Sequence, residues 1–404
     1  MPQRKGITIP HNLSSSSAAT GQWSDDTFLD TLRRSGDPAA DAAVAALIAD
    51  GGLAAAGAVF KLLRANDTPL PPDAPQPLKD FMASSASILP PHLDLARLSS
   101  GGRAFLRNAL PSVVVLLASS LPRGYGAPCL CEILGISRDL ERHPFGRLMG
   151  VVQLLINITE AGAFQPNGRA IVTAQKLRLL HAGIRAIAER YRPKYTERFG
   201  VPVNHEDMLA TIMGFSWLLI DGVRRLDLPL GHDEAEDLYY LWRVFALLMG
   251  IHPPGRPHDD SLIPPTIADA AAFYDAYVRR NNTTAEHNAY GVILTQDNLT
   301  MMTAMIWWPL RLIGLGWAPR IAMTELLAPE ELARVGVAPL VGHGAIKAGL
   351  ALILRLGRDV GVHTSFAARL SRLLLQGMVA LDRRGEVPFS IPMSQEDLRS
   401  AAFE

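Results

Sequence analysis

Apolar residues recur at spacings of three and four along most of this chain, while alternation of apolar with polar residues is scarce. A period near 3.6 puts such residues on one side of a helix, whereas a half-buried strand needs a period of two. That contrast confines the chain to helix-on-helix packing, because no strand ladder is predicted to build a sheet. No self-similar period of about 20–50 residues is present, so a solenoid is not expected. The fold predicted is all-α, one large domain over residues 26–404, preceded by a polar tail at 1–25.

Helices are predicted over 25–32, 38–63, 78–84, 102–118, 128–134, 144–158, 173–192, 204–226, 233–250, 264–281, 296–313, 328–335 and 344–381. Their punctuation has mechanisms. The alanines of 38–63 suit helix propensity and close packing. Pro144 fits a first helical turn, where its missing N–H costs nothing. Asn204 followed by Asp207 is an N-cap with acid in the first turn. Asp233, Glu234, Glu236 and Asp237 put negative charge at the positive end of another helix. Residues 69–77, rich in proline, are expected to be extended.

The 404 residues are 48% hydrophobic and 19% charged, enough to bury a sizeable core. Basic and acidic residues number 39 each, with no long basic run, which argues against a nucleic-acid partner. Cys129 and Cys131 are one residue apart, neither a disulfide framework nor a CxxC pair, and are expected to be small buried residues. The first residues carry a basic flank but no apolar core behind it, so no secretory signal is read and the cytoplasm is the expected compartment. Apolar runs fall short of the roughly 18–20 residues that a membrane span needs. The run at 209–223 contains Thr211, Gly214, Ser216 and Asp221, and that at 340–356 contains His343, Lys347 and Arg355. Both are expected to be buried helices, with peripheral membrane contact left open.

Most catalytic signatures are missing: no GxGxxG after a strand, no Walker loop, no GxSxG elbow and no HExxH. His252 and His258 lie in a proline-rich loop expected at the surface, and His205 stands at a helix start as a solvated capping residue. His181 differs. Leu177, His181, Ile184 and Ala188 recur at four, three and four, so they share one apolar stripe, with Lys176, Arg178, Arg185 and Arg192 largely off it. A histidine on an inward face satisfies its ring nitrogens by a hydrogen bond or by a metal, and the segment alone leaves both open. On the 144–158 helix Arg147 shares a side with Val151 and Leu155. An all-α fold with one inward histidine is an environment that holds haem, one imidazole binding iron and the opposite face staying open to oxygen.

Several segments together resemble the latex clearing protein (rubber oxygenase) family and the related mycophenolate-pathway oxygenase domain. They begin with Pro77-Leu-Lys-Asp-Phe-Met, Leu89-Pro90 and Gly101-Gly-Arg-Ala-Phe105, then Ser120-Leu-Pro-Arg-Gly-Tyr125-Gly-Ala-Pro128 and His143-Pro-Phe-Gly-Arg147-Leu148. The strongest is Thr173-Ala-Gln-Lys176-Leu-Arg178-Leu-Leu-His181-Ala-Gly-Ile-Arg185. Gly200-Val-Pro202-Val-Asn204-His-Glu206-Asp207, Phe215-Ser216 and the 231–250 stretch follow in order, so the resemblance spans about 75–310.

The resemblance implies a globin-like helical core with additional helices, haem b as cofactor, dioxygen as co-substrate, and oxidative cleavage of an isoprenoid carbon–carbon double bond. By position it implies that His181 is the iron ligand, that Arg147 lies close to the haem, and that Glu132 falls near a distal base. Arg147, Arg178 and Arg185 are then candidates to pair with haem propionates. Val151, Leu155, Phe215 and Leu218 are expected to wall the apolar pocket. The chain departs from rubber oxygenases at Gly150 and Val151, where the family has Lys and Thr, which points to altered oxygen handling or substrate. With no secretion leader read, a small lipophilic alkene or isoprenoid is the expected substrate in place of rubber itself. A haem protein with peroxidase-like, sensing or carrier function, and a helical lipid-binding protein without cofactor, are the alternatives.

Overall fold

The computed structural model describes residues 21–49, 70–137 and 144–355, apart from 71, 87, 167, 307, 313, 341, 343, 345–347, 350 and 353. Every regular element among the described residues is helical, as the periodicity predicts. In chain order these are α1 (Asp26–Arg33), α2 (38–49), α3 (Gln76–Ala86), α4 (Leu95–Arg107), α5 (Ala109–Val115) and α6 (Leu121–Tyr125). Then come α7 (Pro128–Ser137), α8 (Pro144–Thr159), α9 (Arg169–Tyr191), α10 (Pro193–Phe199), α11 (His205–Phe215) and α12 (Trp217–Arg225). The last are α13 (His232–Leu248), α14 (Ile267–Asn281), α15 (Ala289–Ala304), α16 (Trp308–Leu312), α17 (Ala318–Leu326) and α18 (Pro329–Arg334).

The 23-residue α9 is the axis of the fold, packed against α3, α7, α8, α10 and α13. Ala40, Ala43, Val44 and Leu47 of α2 pack with Leu78 and Phe81 of α3 onto Leu179 and Ala182 of α9. Small side chains let that layer approach closely, as the alanine content predicts. The most extensive helix pair is α4 with α13. A Cβ on Gly101 would lie 2.3 Å from the Asp237 carbonyl oxygen, and one on Gly102 would lie 2.9 Å from that of Thr159. The Gly101-Gly102 pair therefore lets α4 lie against α13 on one side and the end of α8 on the other. The caps form as read: the Asn204 side chain accepts from the Asp207 N–H at 2.9 Å.

Three predicted helices are broken, the 296–313 segment among them, which divides between α15 and α16 after Ala304. The 102–118 segment starts earlier, at Leu95, and ends at Asn108, after which α5 to α6 continue at 80° to α4. Pro111 has no N–H for a bond to residue 107 and its ring crowds that carbonyl. The 204–226 helix breaks at Ser216, whose Oγ donates to the Ile212 carbonyl at 2.8 Å. That local bond competes with the helical ladder. Helix α17 was not predicted. Residues 50–63 and most of 344–381, also predicted helical, lie outside the described residues. Among the described residues no single helix is long and apolar enough to cross a membrane, and only the bent α4–α6 stretch reaches the required length and hydropathy as a pair.

Candidate functional site: a cleft between two antiparallel helices

The short 160–168 connection turns the chain back on itself, so α8 and α9 run antiparallel. Near the connection they are tied by a polar chain in which Gln153 Nε2 donates to Asn157 Oδ1 at 2.8 Å and Asn157 Nδ2 to Thr173 Oγ1 at 3.0 Å. Gly150 lies seven residues before Asn157 and His181 eight after Thr173. At about 1.5 Å per residue, both stand roughly 10–12 Å from the tie, at one level on facing helices. The space around the Gly150 Cα is open among the described residues. Gly150 is buried, yet a Cβ there would meet no described atom within 4 Å.

His181 forms the other wall. Its Nδ1 is buried with no hydrogen-bond partner among the described residues, yet the residue as a whole is only half-buried. Enclosure with part of the surface still accessible marks the wall of a cleft. Burial, reinforced by the Arg185 charge and only partly opposed by Asp37, lowers its pKa to about 4, so the ring is neutral at physiological pH. Leu177 and Ile184 on the same stripe, and Val151 and Leu154 on α8, are likewise half-buried. Of the other residues expected to wall the pocket, Leu155 and Leu218 are core residues at 1% and 2% exposure, and Phe215 stacks on Trp242 at 4.9 Å.

The structure corrects the reading of the arginines. Arg178 and Arg185 form the most enclosed polar edge of α9, at 4% and 3% exposure. Arg178 donates twice to Asp37, at 2.6 and 2.9 Å, and its guanidinium lies over the Phe81 ring. Burial alone would raise the Asp37 pKa, and the Arg178 bonds outweigh it and hold the carboxyl below its usual value. Arg185 donates to Asp41 at 2.7 Å and to the Val203 carbonyl at 3.2 Å. Both cations are thus bound to carboxylates of the chain and tie α9 to α2 and the turn before it. Each keeps one enclosed nitrogen without a partner among the described residues.

His205 is a second correction, since it is 3% exposed where a solvated residue was expected. The turn between α1 and α2 lies across it, and its backbone N–H donates to the Ser35 carbonyl at 3.0 Å. Burial lowers its pKa to about 4, against the opposing charge of Asp37. Glu132 on α7 is half-buried and its carboxylate lies 3.5 Å from Arg198. Its neighbour Ile133, like Ile184, packs against Ile187 and Ala188, which brings α7 against α9 beyond His181. The backbone of Arg147 lies in α8, one turn before Gly150, and its side chain lies outside the described residues. Cys129 and Cys131 are buried and unbridged, as expected.

A buried charge cluster went unread beyond its cap. Arg33 donates to Glu206 at 2.5 Å, to Asp207 at 3.2 Å and to the Phe199 carbonyl at 2.8 Å. Asp207 also accepts from Tyr277 and Asn204, and Glu206 from Arg280 and Asn281. The cluster locks α1, α11 and α14 together.

The family model described as "ER-bound oxygenase mpaB/B'/Rubber oxygenase, catalytic domain" matches residues 92–356. The chain belongs to that family. The rubber oxygenase of Streptomyces sp. (strain K30) is 25% identical over 247 residues, covering 59% of this chain and 57% of that protein. The match thus takes in less than two thirds of the curated relative's length. A solved structure of latex clearing protein LCP in the closed state superposes with a TM-score of 0.65 at 20% identity, covering 86% of this chain and 90% of that one, which shows a shared fold. The catalytic-domain match holds the whole α8–α9 cleft, while Asp37 and Asp41, which bind Arg178 and Arg185, fall before it.

Proposed function

We propose that this protein is a haem b-dependent oxygenase that cleaves a carbon–carbon double bond of a lipophilic alkene or isoprenoid with dioxygen. The observation that carries the reading is His181, a neutral imidazole on the wall of an interior cleft with an unpartnered ring nitrogen. A neutral imidazole offers a lone pair to a metal at physiological pH. No group of three His, Cys, Asp or Glu among the described residues is placed to cage a metal ion. A porphyrin brings four of the iron's donors with it, so a single imidazole suffices as the protein's ligand. Family membership and the fold shared with latex clearing protein support the same choice.

Bound there, haem would supply the oxygen chemistry, by which one alkene and one dioxygen become two carbonyl compounds, each taking one oxygen atom. The chain supplies the rest. His181 is the residue that would hold the iron, through a ring nitrogen. The half-buried apolar residues Val151, Leu154, Leu177 and Ile184 would exclude water and favour an uncharged substrate. Arg178 and Arg185, held by Asp37 and Asp41, keep α9 in place, and propionate pairing is not assigned to them. Glu132, half-buried and 3.5 Å from Arg198, is the candidate carboxylate to hold or move a proton, and Arg147, whose backbone lies one turn before Gly150, keeps the catalytic role that the resemblance gives it.

The test is oxygen uptake with squalene as the polyene, together with mass spectrometry of the products. The reading predicts uptake matched by aldehydes or ketones that carry label from 18O2, and no uptake by His181→Ala. Uptake without cleaved carbonyl products would overturn the double-bond chemistry.

A further inference from the structure

A glycine inside a helix is less favourable than alanine and needs a reason to be there. In this fold the reason is usually a neighbour. Added Cβ atoms would lie 2.3 Å from the Asp237 carbonyl oxygen at Gly101, 2.9 Å from that of Thr159 at Gly102, 2.3 Å from Val115 Cγ1 at Gly222 and 2.2 Å from the Tyr125 carbonyl oxygen at Gly291. Gly150 is equally buried and equally helical, but no described atom lies within 4 Å of where its Cβ would stand. The missing side chain there leaves room that no described residue fills.

The position of that room decides what it is for. Gly150 stands level with His181 across the antiparallel pair, with half-buried Val151 and Leu154 on its own helix and Leu177 and Ile184 opposite. Those four are branched aliphatic side chains that offer no hydrogen bond. We propose that Gly150 is the specificity-determining residue of the cleft, its bare backbone admitting a branched, uncharged hydrocarbon segment beside His181. The inference deepens the oxygenase reading and rests on it for the identity of the site as the reaction site. Any side chain longer than one carbon at 150 fills the space the substrate needs.

The test uses the full chain as purified after haem supplementation, with tritiated squalene as the probe of a branched hydrocarbon and a pyridine haemochrome assay on the same samples. Wild type is expected to bind squalene saturably and Gly150→Leu at least tenfold more weakly, with haem per chain unchanged. Gly150→Ala, which adds one carbon to open space, is expected to stay within about twofold of wild type. Where Gly150→Leu does not fold, Gly150→Val is read in its place with the same expectation. Squalene binding by Gly150→Leu equal to wild type overturns the inference, as does the absence of squalene binding by wild type. Loss of haem in Gly150→Leu also overturns it, because the space then belongs to the cofactor. Because squalene is counted separately from haem, a wild-type chain that binds squalene but no haem contradicts the haem reading and leaves the role of Gly150 supported.

Discussion

The Arg33–Glu206–Asp207 cluster and the His181–Gly150 region both hold enclosed polar atoms, but they treat them in opposite ways. In the cluster, Glu206 at 0% exposure and Asp207 at 2% have their carboxylates bound by two arginines, two asparagines and a tyrosine. Nothing there is left for a ligand, and the consequence is rigidity: three helices far apart in sequence are pinned at one point. In the cleft, His181 Nδ1 has no partner and Gly150 has no neighbour. Unmet groups inside a protein are costly, and in the proposed function a cofactor at His181 is what completes this part of the structure. The difference separates residues that hold the fold from residues that hold something else.

Breaking the cluster gives the largest expected effect. Arg33→Ala strands Glu206 and Asp207 without their shared cation and is predicted to cost about 3–5 kcal/mol in urea unfolding. A loss below about 1 kcal/mol would show that the cluster is not the anchor. Acid comes next. His205 and His181 have folded pKa values of about 4, lowered first of all by burial, against 6.5 for the free side chain. Between those limits the unfolded chain binds more protons, so stability is complete above about pH 6.5 and is eroded as the pH falls towards 4. His205 accounts for up to about 3 kcal/mol of that loss and the partly accessible His181 for less. His205→Leu should flatten the slope, and an unchanged slope would contradict the buried neutral histidine.

One substitution made at two glycines sharpens the contrast. Gly101→Ala drives a methyl group into the Asp237 backbone and should destabilise by about 1–3 kcal/mol. Gly150→Ala meets nothing and should stabilise α8 by up to about 1 kcal/mol, through helix propensity alone. Equal effects on the thermal midpoint would mean that the two sites are packed alike.

What was legible in the sequence was mostly local. Helical periodicity foretold the all-α fold, and Asn204 with Asp207 foretold a helix start, because both signals act within one or two turns. The His181 stripe was also legible as a face, although not as a half-open one. The burial of Arg178, Arg185 and His205 was not legible, because it depends on α2 and the preceding turn folding back from more than 140 residues away. The open space at Gly150 was visible only as a departure from the family's lysine, and nothing in the residues themselves said that no neighbour would fill it. Helix α17 left a signal that could have found it: Pro319 in its first turn, followed by Ile321, Ala322 and Met323.

The most direct test of the cleft as a cofactor site is haem per folded chain in wild type and His181→Ala, from the Soret band and pyridine haemochrome after haem supplementation, with circular dichroism on the same samples. The account predicts close to one haem b per wild-type chain and almost none in a His181→Ala chain of equal helicity. A well-folded wild type without a Soret band, or a His181→Ala chain that keeps its haem, would contradict it.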